Sequence, residues 1–262
     1  MGRSPVSFEM TGAAFLWHPL YFAIPRRGEK WGGWIYRAPH RWYTGPRKRE
    51  RGVGALKKLA SFLYSILGGV CIGIGGVVFL SCESKVTGAV FFCLGLFTIC
   101  TFGFNLFTGK VGYIFEQPLS YTGFVASVWL GNLVGTGLVG YAARITRIAE
   151  GIVPKAESLC QTKLDDSLLS IFILSVLCNI LMFIAVDGFK NNPHELGKYI
   201  GIFLGVTVFI LCGFEHCVAN MFYFSAANVW GGRALVYMLV MTLGNTCGGV
   251  IIPLCRRLRT TQ

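Results

Sequence analysis

Six runs of about twenty or more mostly apolar residues, separated by short polar clusters, constrain this chain more than any other feature. A helix crossing the hydrocarbon core of a bilayer needs roughly 20 such residues. The runs cover residues 59–80, 86–115, 121–143, 167–187, 196–229 and 233–255. Only 14% of the 262 residues are charged, against about 25% in a soluble domain. Such a chain cannot cover its surface with polar groups. The expected fold class is all-α integral membrane, with six transmembrane helices. It is expected to divide into a basic, Pro-, Gly- and Trp-rich tail (1–54), a transmembrane domain (55–257) and a short C-terminal tail (258–262).

Charge distribution sets the expected orientation. Of the 24 Lys and Arg, 12 lie in residues 1–60, opposed there by Glu9, Glu29 and Glu50 alone. Basic juxtamembrane clusters mark the cytoplasmic side, and six spans put both termini on one side. The expectation is therefore an integral protein of the plasma (inner) membrane with cytoplasmic termini, partnered by lipid. The excess of bases sits in no nucleic-acid-binding motif, so no nucleic-acid partner is expected. Residues 13–20 carry His18 and Pro19 and no following cleavage site, unlike a secretory signal. The ten cysteines lack paired metal-ligand spacing, so no metal or cofactor is expected.

The second and fifth spans are too long for one simple helix, and each is interrupted. They contain Gly103-Phe104-Asn105-Leu106 and Gly213-Phe214-Glu215-His216. The third and sixth spans carry Gly131-Asn132-Leu133-Val134-Gly135 and Gly244-Asn245-Thr246-Cys247-Gly248, which begin 28 and 31 positions after Gly103 and Gly213. Each half thus reads as a plain span, a broken span and a Gly-Asn-x-x-Gly span. Three spans per half force the halves into opposite topology, and matched broken helices in inverted repeats mark a substrate path near the bilayer midplane.

His216 is the sole histidine within an apolar span, next to Glu215. Ionisable groups at that depth face a cavity or one another. Two readings compete: a hydrogen-bonded pair stapling helices, or a proton donor whose tautomer is fixed by Glu215 or by a backbone group. A lumen-facing carboxylate would repel anions, so Glu215 is expected to point away from the path. Helical spacing predicts that Phe209, Cys212, His216 and Asn220 share one face. Thr108 follows the first break and offers a hydroxyl to an anion, or a simple helix cap. Asn179 is a lone amide in the fourth span, read either as helix glue or as path lining. Lys163 precedes that span, as a solvated flank or an anion-attracting charge.

These motifs resemble the formate/nitrite transporter family, which also includes hydrosulfide and lactate permeases. The resemblance spans residues 55–257 and rests on Leu106-Phe107-Thr108-Gly109, Cys178-Asn179 and Gly213-Phe214-Glu215-His216 with Ala219-Asn220-Met221. It implies an aquaporin-like protomer, a homopentamer with one pore per protomer, and a small monovalent anion or its conjugate weak acid as substrate. By the same resemblance His216 is the central histidine, Thr108 the flexible-loop threonine, Asn179 the pore asparagine and Lys163 the lysine before that span. The apolar constrictions fall on Phe92, Leu96, Leu106 and Phe209. This chain departs from the family pattern at Phe104, Asn105 and Lys110, and no amphipathic N-terminal helix is recognisable in residues 1–50.

Three rival classes are weaker. An intramembrane enzyme needs metal-ligand or nucleophile spacing that one histidine does not supply. An aquaporin-like channel for small neutral solutes would carry paired Asn-Pro-Ala boxes, which are absent. A non-conducting scaffold has no use for matched helix breaks.

Overall fold

The computed structural model describes residues 51–260. The basic tail expected over residues 1–54 therefore lies outside the described residues up to position 50. Within them the chain is helical and strand-free. Helix α1 (Arg51–Ser81) is followed by α2 (Lys85–Phe102), the short α3 (Phe107–Val111) and α4 (Ser120–Arg144). After α5 (Ala149–Leu164) come α6 (Leu168–Asn191), α7 (Glu195–Leu211), α8 (Cys217–Ala227) and α9 (Gly232–Thr260).

Five of these helices, α1, α2, α4, α6 and α9, are long and apolar enough to cross a membrane. The fifth span is shared by α7 and α8, as the second is shared by α2 and α3. This is the expected all-α architecture of two three-span repeats with broken second and fifth spans. The expected boundaries hold to within a few residues at most ends; the exceptions are the start of α1 and the end of α9. One element was unforeseen. α5 lies between the third and fourth apolar runs, where the polar 16-residue sequence AEGIVPKAESLCQTKL gives no apolar-span signal.

Each repeat is built alike. α1 packs on α4 and α2, and α6 packs on α9 and α7, while α2 lies against α7 across the two halves. The packing is close because glycines face carbonyls. A Cβ at Gly135 would overlap the Ile66 carbonyl oxygen, and one at Gly248 would overlap that of Val176. Small residues that let helix backbones approach are the usual basis of helix association in lipid, where apolar burial gives no net drive.

Both breaks begin at a left-handed glycine. Gly103 has φ 72° and Gly213 has φ 70°, a region that glycine enters without steric penalty. Gly103 closes α2 by donating its N–H to the Ile99 carbonyl. In the next residues the broken strand of backbone leans on the neighbouring span: Asn105 N–H donates to Tyr64 O, and Glu215 N–H donates to Leu174 O. The break between Leu211 and Cys217 also corrects one expectation. Phe209, Cys212, His216 and Asn220 do not share a helix face, because the helix that would carry them stops and restarts between them.

Candidate functional site

Backbone freed by a helix break inside a membrane must be satisfied from within the protein. Asn132 and Asn245, the asparagines of the paired Gly-Asn-x-x-Gly motifs, do this. Asn132 Oδ1 accepts from Phe107 N–H at 2.8 Å, while its Nδ2 donates to Ser65 O (2.7 Å) and Asn105 O (2.9 Å). Asn245 Oδ1 accepts from Cys217 N–H at 2.8 Å, and its Nδ2 donates to Ser175 O (2.7 Å) and Glu215 O (2.8 Å). Both side chains are fully buried. Each therefore latches a plain span to the point where the broken helix restarts. Sequence reading found the motif and its repetition but gave these residues no role; the repetition was the signal.

The matched latches set a residue correspondence between the halves. Leu106 and His216 are the N-cap residues of α3 and α8. Leu106 offers no side-chain cap, whereas His216 Nδ1 accepts the Ala219 N–H at 3.1 Å. That bond fixes the tautomer. With Nδ1 accepting, the proton of the neutral ring sits on Nε2. Nε2 lies 2.9 Å from Thr108 Oγ1, so the imidazole N–H donates to the hydroxyl oxygen. The Thr108 O–H remains free to donate elsewhere.

Thr108 is fully buried and His216 is 2% exposed. Phe209 stacks on the His216 ring (centroids 5.6 Å apart), and Phe92 meets Phe209 edge-on at 6.0 Å. Leu96 and Leu106 are also buried. The pair thus sits in a buried setting against the Phe209 ring, where an uncompensated charge would be costly.

Glu215 does not pair with His216. Its carboxylate receives Lys163 Nζ at 2.6 and 2.8 Å and Asn220 Nδ2 at 2.8 Å. Lys163 stands in the last turn of α5 and is 9% exposed. Of the two readings of the tautomer, the backbone group holds and the carboxylate does not. Nor is Lys163 a solvated flank. Its partner is 52 positions away, out of reach of motif reading.

Asn179 stands apart from both groups. It donates to the Asn245 backbone carbonyl at 2.6 Å, tying α6 to α9, and its Oδ1 is buried with no hydrogen-bond partner, as is Asn220 Oδ1. The structure therefore assembles Thr108 with His216, and Lys163 with Glu215 and Asn220. Among the described residues no group of three or more His, Cys, Asp and Glu side chains is arranged to hold a metal ion.

The profile of the formate/nitrite transporter family matches residues 48–256. The chain belongs to this family. It is 30% identical over 199 residues to a probable formate transporter of Methanothermobacter thermautotrophicus, covering 65% of this chain and 72% of that protein. It is 26% identical over 229 residues to the nitrite transporter of Escherichia coli, covering 76% and 82%. Among solved structures it resembles a pentameric formate channel with formate bound (TM-score 0.67, 26% identity), over 79% of this chain and 99% of that one. The relatives of this formate/nitrite transporter family member are transporters and channels rather than enzymes. It is accordingly an integral membrane protein, and family membership supports anion transport.

Proposed function

We propose that this protein conducts small monovalent anions of the formate and nitrite class, or their conjugate weak acids, past the Thr108–His216 pair. The observation that carries the reading is the pair of contacts from Ala219 N–H to His216 Nδ1 and from His216 Nε2 to Thr108 Oγ1, an arrangement that leaves the Thr108 hydroxyl proton available to a substrate. A small anion arriving between Phe92, Leu96, Leu106 and Phe209 meets a hydrogen-bond donor where it has lost water. The N-terminus of α8 adds a favourable partial positive charge there.

Hydrogen bonding suits this site better than proton donation by the histidine itself. Protonating Nδ1 would set it against the Ala219 N–H that it now accepts, donor facing donor. Releasing the Nε2 proton would leave a buried anionic ring. A proton travelling with the substrate therefore comes from bulk water, and passage as the neutral acid avoids carrying a bare charge through the apolar constriction. Lys163, from the last turn of α5, neutralises Glu215 beside Asn220, so that the buried carboxylate presents no net negative charge to an approaching anion. Asn179 holds α6 to α9.

The similarity to a pentameric channel extends the reading to a homopentamer with one pore per protomer. The basic N-terminal flank and Arg256, Arg257 and Arg259 favour cytoplasmic termini in the plasma membrane.

The test is flux into proteoliposomes with formate, nitrite, hydrosulfide and lactate, each at two pH values, with empty liposomes as control. Saturable flux that rises as pH falls supports weak-acid passage, and the ranking names the substrate. Absence of flux with all four would overturn the reading. Water flux alone would place the protein with solute channels of the aquaporin type.

A further inference from the structure

Among the described residues, two acidic side chains are buried, Glu215 and Asp187. Glu215 belongs with Lys163, but Asp187 has no part in the path as proposed. It is 3% exposed and lies on α6 one turn before the end of the helix. An ionisable group held inside a membrane protein is expensive unless its partners give it a use. Asp187 Oδ1 accepts from the Tyr113 hydroxyl and from Asn191 Nδ2, each at 3.0 Å, and Oδ2 pairs with Arg256 of α9 at 2.7 Å. Three parts of the chain thus converge on one carboxylate: α6 itself, the C-terminal end of α9, and the turn that follows α3.

That turn matters because of what α3 carries. α3 has five residues, Thr108 second among them, and its N-cap Leu106 supplies no side-chain bond. Its counterpart α8 has eleven residues and the His216 cap. A helix as short as α3 does not hold itself, since its first hydrogen bond fixes several backbone dihedrals at once. The place of Thr108 is therefore set by the surroundings of α3. At the front, Phe107 N–H is held by Asn132 at 2.8 Å. At the back, the Lys110 carbonyl accepts from the Tyr113 N–H (3.2 Å) and the Tyr121 hydroxyl (3.1 Å). The Tyr113 ring lies 5.4 Å from that of Phe183, and the Arg256 guanidinium lies 5.8 Å from the same Phe183 ring. Tyr113 is thus fixed through both its ring and its hydroxyl.

We propose that Asp187, with Tyr113 and Arg256, forms a positioning cluster for Thr108, holding the back of α3 so that Thr108 Oγ1 stays against His216 Nε2. This rests on the transport reading above and deepens it. The three residues act through α3 rather than on the anion. Since Arg256 belongs to the end of α9, the C-terminal end of the chain has a hold on the path.

The experiment compares Tyr113→Phe, Asp187→Asn, Arg256→Gln and Arg256→Lys at equal amounts of folded protein. One readout is formate flux into proteoliposomes; the other is solid-state nitrogen NMR of protein labelled at histidine. Tyr113→Phe is the decisive variant, because it removes one oxygen and leaves Asn191 and Arg256 on the carboxylate. It should lower maximal flux roughly five- to tenfold, the equivalent of one net hydrogen bond, and leave the half-saturating formate within about twofold of wild type. Passage falls and capture does not, because Thr108 acts where the anion has already lost water. Asp187→Asn and Arg256→Gln should change flux in the same direction, and Arg256→Lys, which keeps the charge, should retain it. In the NMR spectrum the His216 signals are identified by their absence from His216→Asn. In Tyr113→Phe the Nδ1 signal should stay in place, held by Ala219, while the Nε2–H signal moves upfield as its bond to Thr108 weakens. A merely structural role would reduce the yield of folded protein and move neither flux per folded protein nor the Nε2–H signal. Wild-type maximal flux, or an unmoved Nε2–H signal, in Tyr113→Phe would overturn the proposal. If wild-type protein passes no anion, the transport reading fails and the Nε2–H signal alone decides the cluster.

Discussion

Thr108 and His216 meet across 108 positions of sequence, and each defines what the other can do. Thr108→Val keeps the shape of the side chain but leaves the His216 N–H buried without an acceptor. That should cost about 1–3 kcal/mol in stability, and on the proposed reading should abolish most anion flux. Thr108→Ser, which keeps the hydroxyl, should retain flux; equal flux from the Val and Ser variants would remove the hydroxyl from the mechanism. The Lys163–Glu215 pair behaves differently. Lys163→Met leaves a buried carboxylate facing only Asn220, and removing one partner of a buried pair typically costs about 3–5 kcal/mol. The double change Lys163→Met with Glu215→Gln should recover much of that loss, measured as the thermal midpoint in detergent. Failure of the double variant to exceed the single one would mean that the pair does not act as a unit.

At the scale of elements, the two latches are the parts whose loss should matter most relative to their size. Asn132→Leu and Asn245→Leu each remove three hydrogen bonds from a helix break, with net contributions of about 1 kcal/mol apiece. Each should therefore destabilise the protein by roughly 3 kcal/mol, although neither side chain hydrogen-bonds to the Thr108 or His216 side chain. Amide hydrogen exchange should locate the damage, with faster exchange at Phe107 in the first variant and at Cys217 in the second. The helix contacts carry a related expectation. Gly135→Ala and Gly248→Ala push a methyl group into a carbonyl oxygen, and overpacking of that kind costs about 1–3 kcal/mol. Gly123→Ala, where a Cβ would meet nothing within 4 Å, is the control that should leave the thermal midpoint unchanged.

At the scale of the whole molecule, large apolar side chains stay exposed on several spans, among them Phe91 and Leu94 on α2 and Leu235 and Leu239 on α9. Lipid and neighbouring copies are the surroundings suited to such faces, and the proposed pentamer predicts a native mass of about five protomers once bound detergent is subtracted. A protomer-sized mass with undiminished flux would show that one chain suffices. The number of spans, the position of both breaks and the inverted repeat were legible in the sequence because they are local properties. Apolar length reports a crossing, a Gly-led polar tetrad reports a break, and repetition reports symmetry, none of which requires knowing what touches what. α5 escaped because its stability comes from packing on α8 and α1 rather than from its own apolar content. The partners of the buried polar groups escaped for the same reason. Glu215 stands beside His216 in the chain yet bonds to Lys163, and the imidazole proton is placed by the Ala219 backbone. Which polar groups meet inside a membrane protein depends on which helices approach closely enough for each to find a partner in the absence of water. That choice belongs to the tertiary structure.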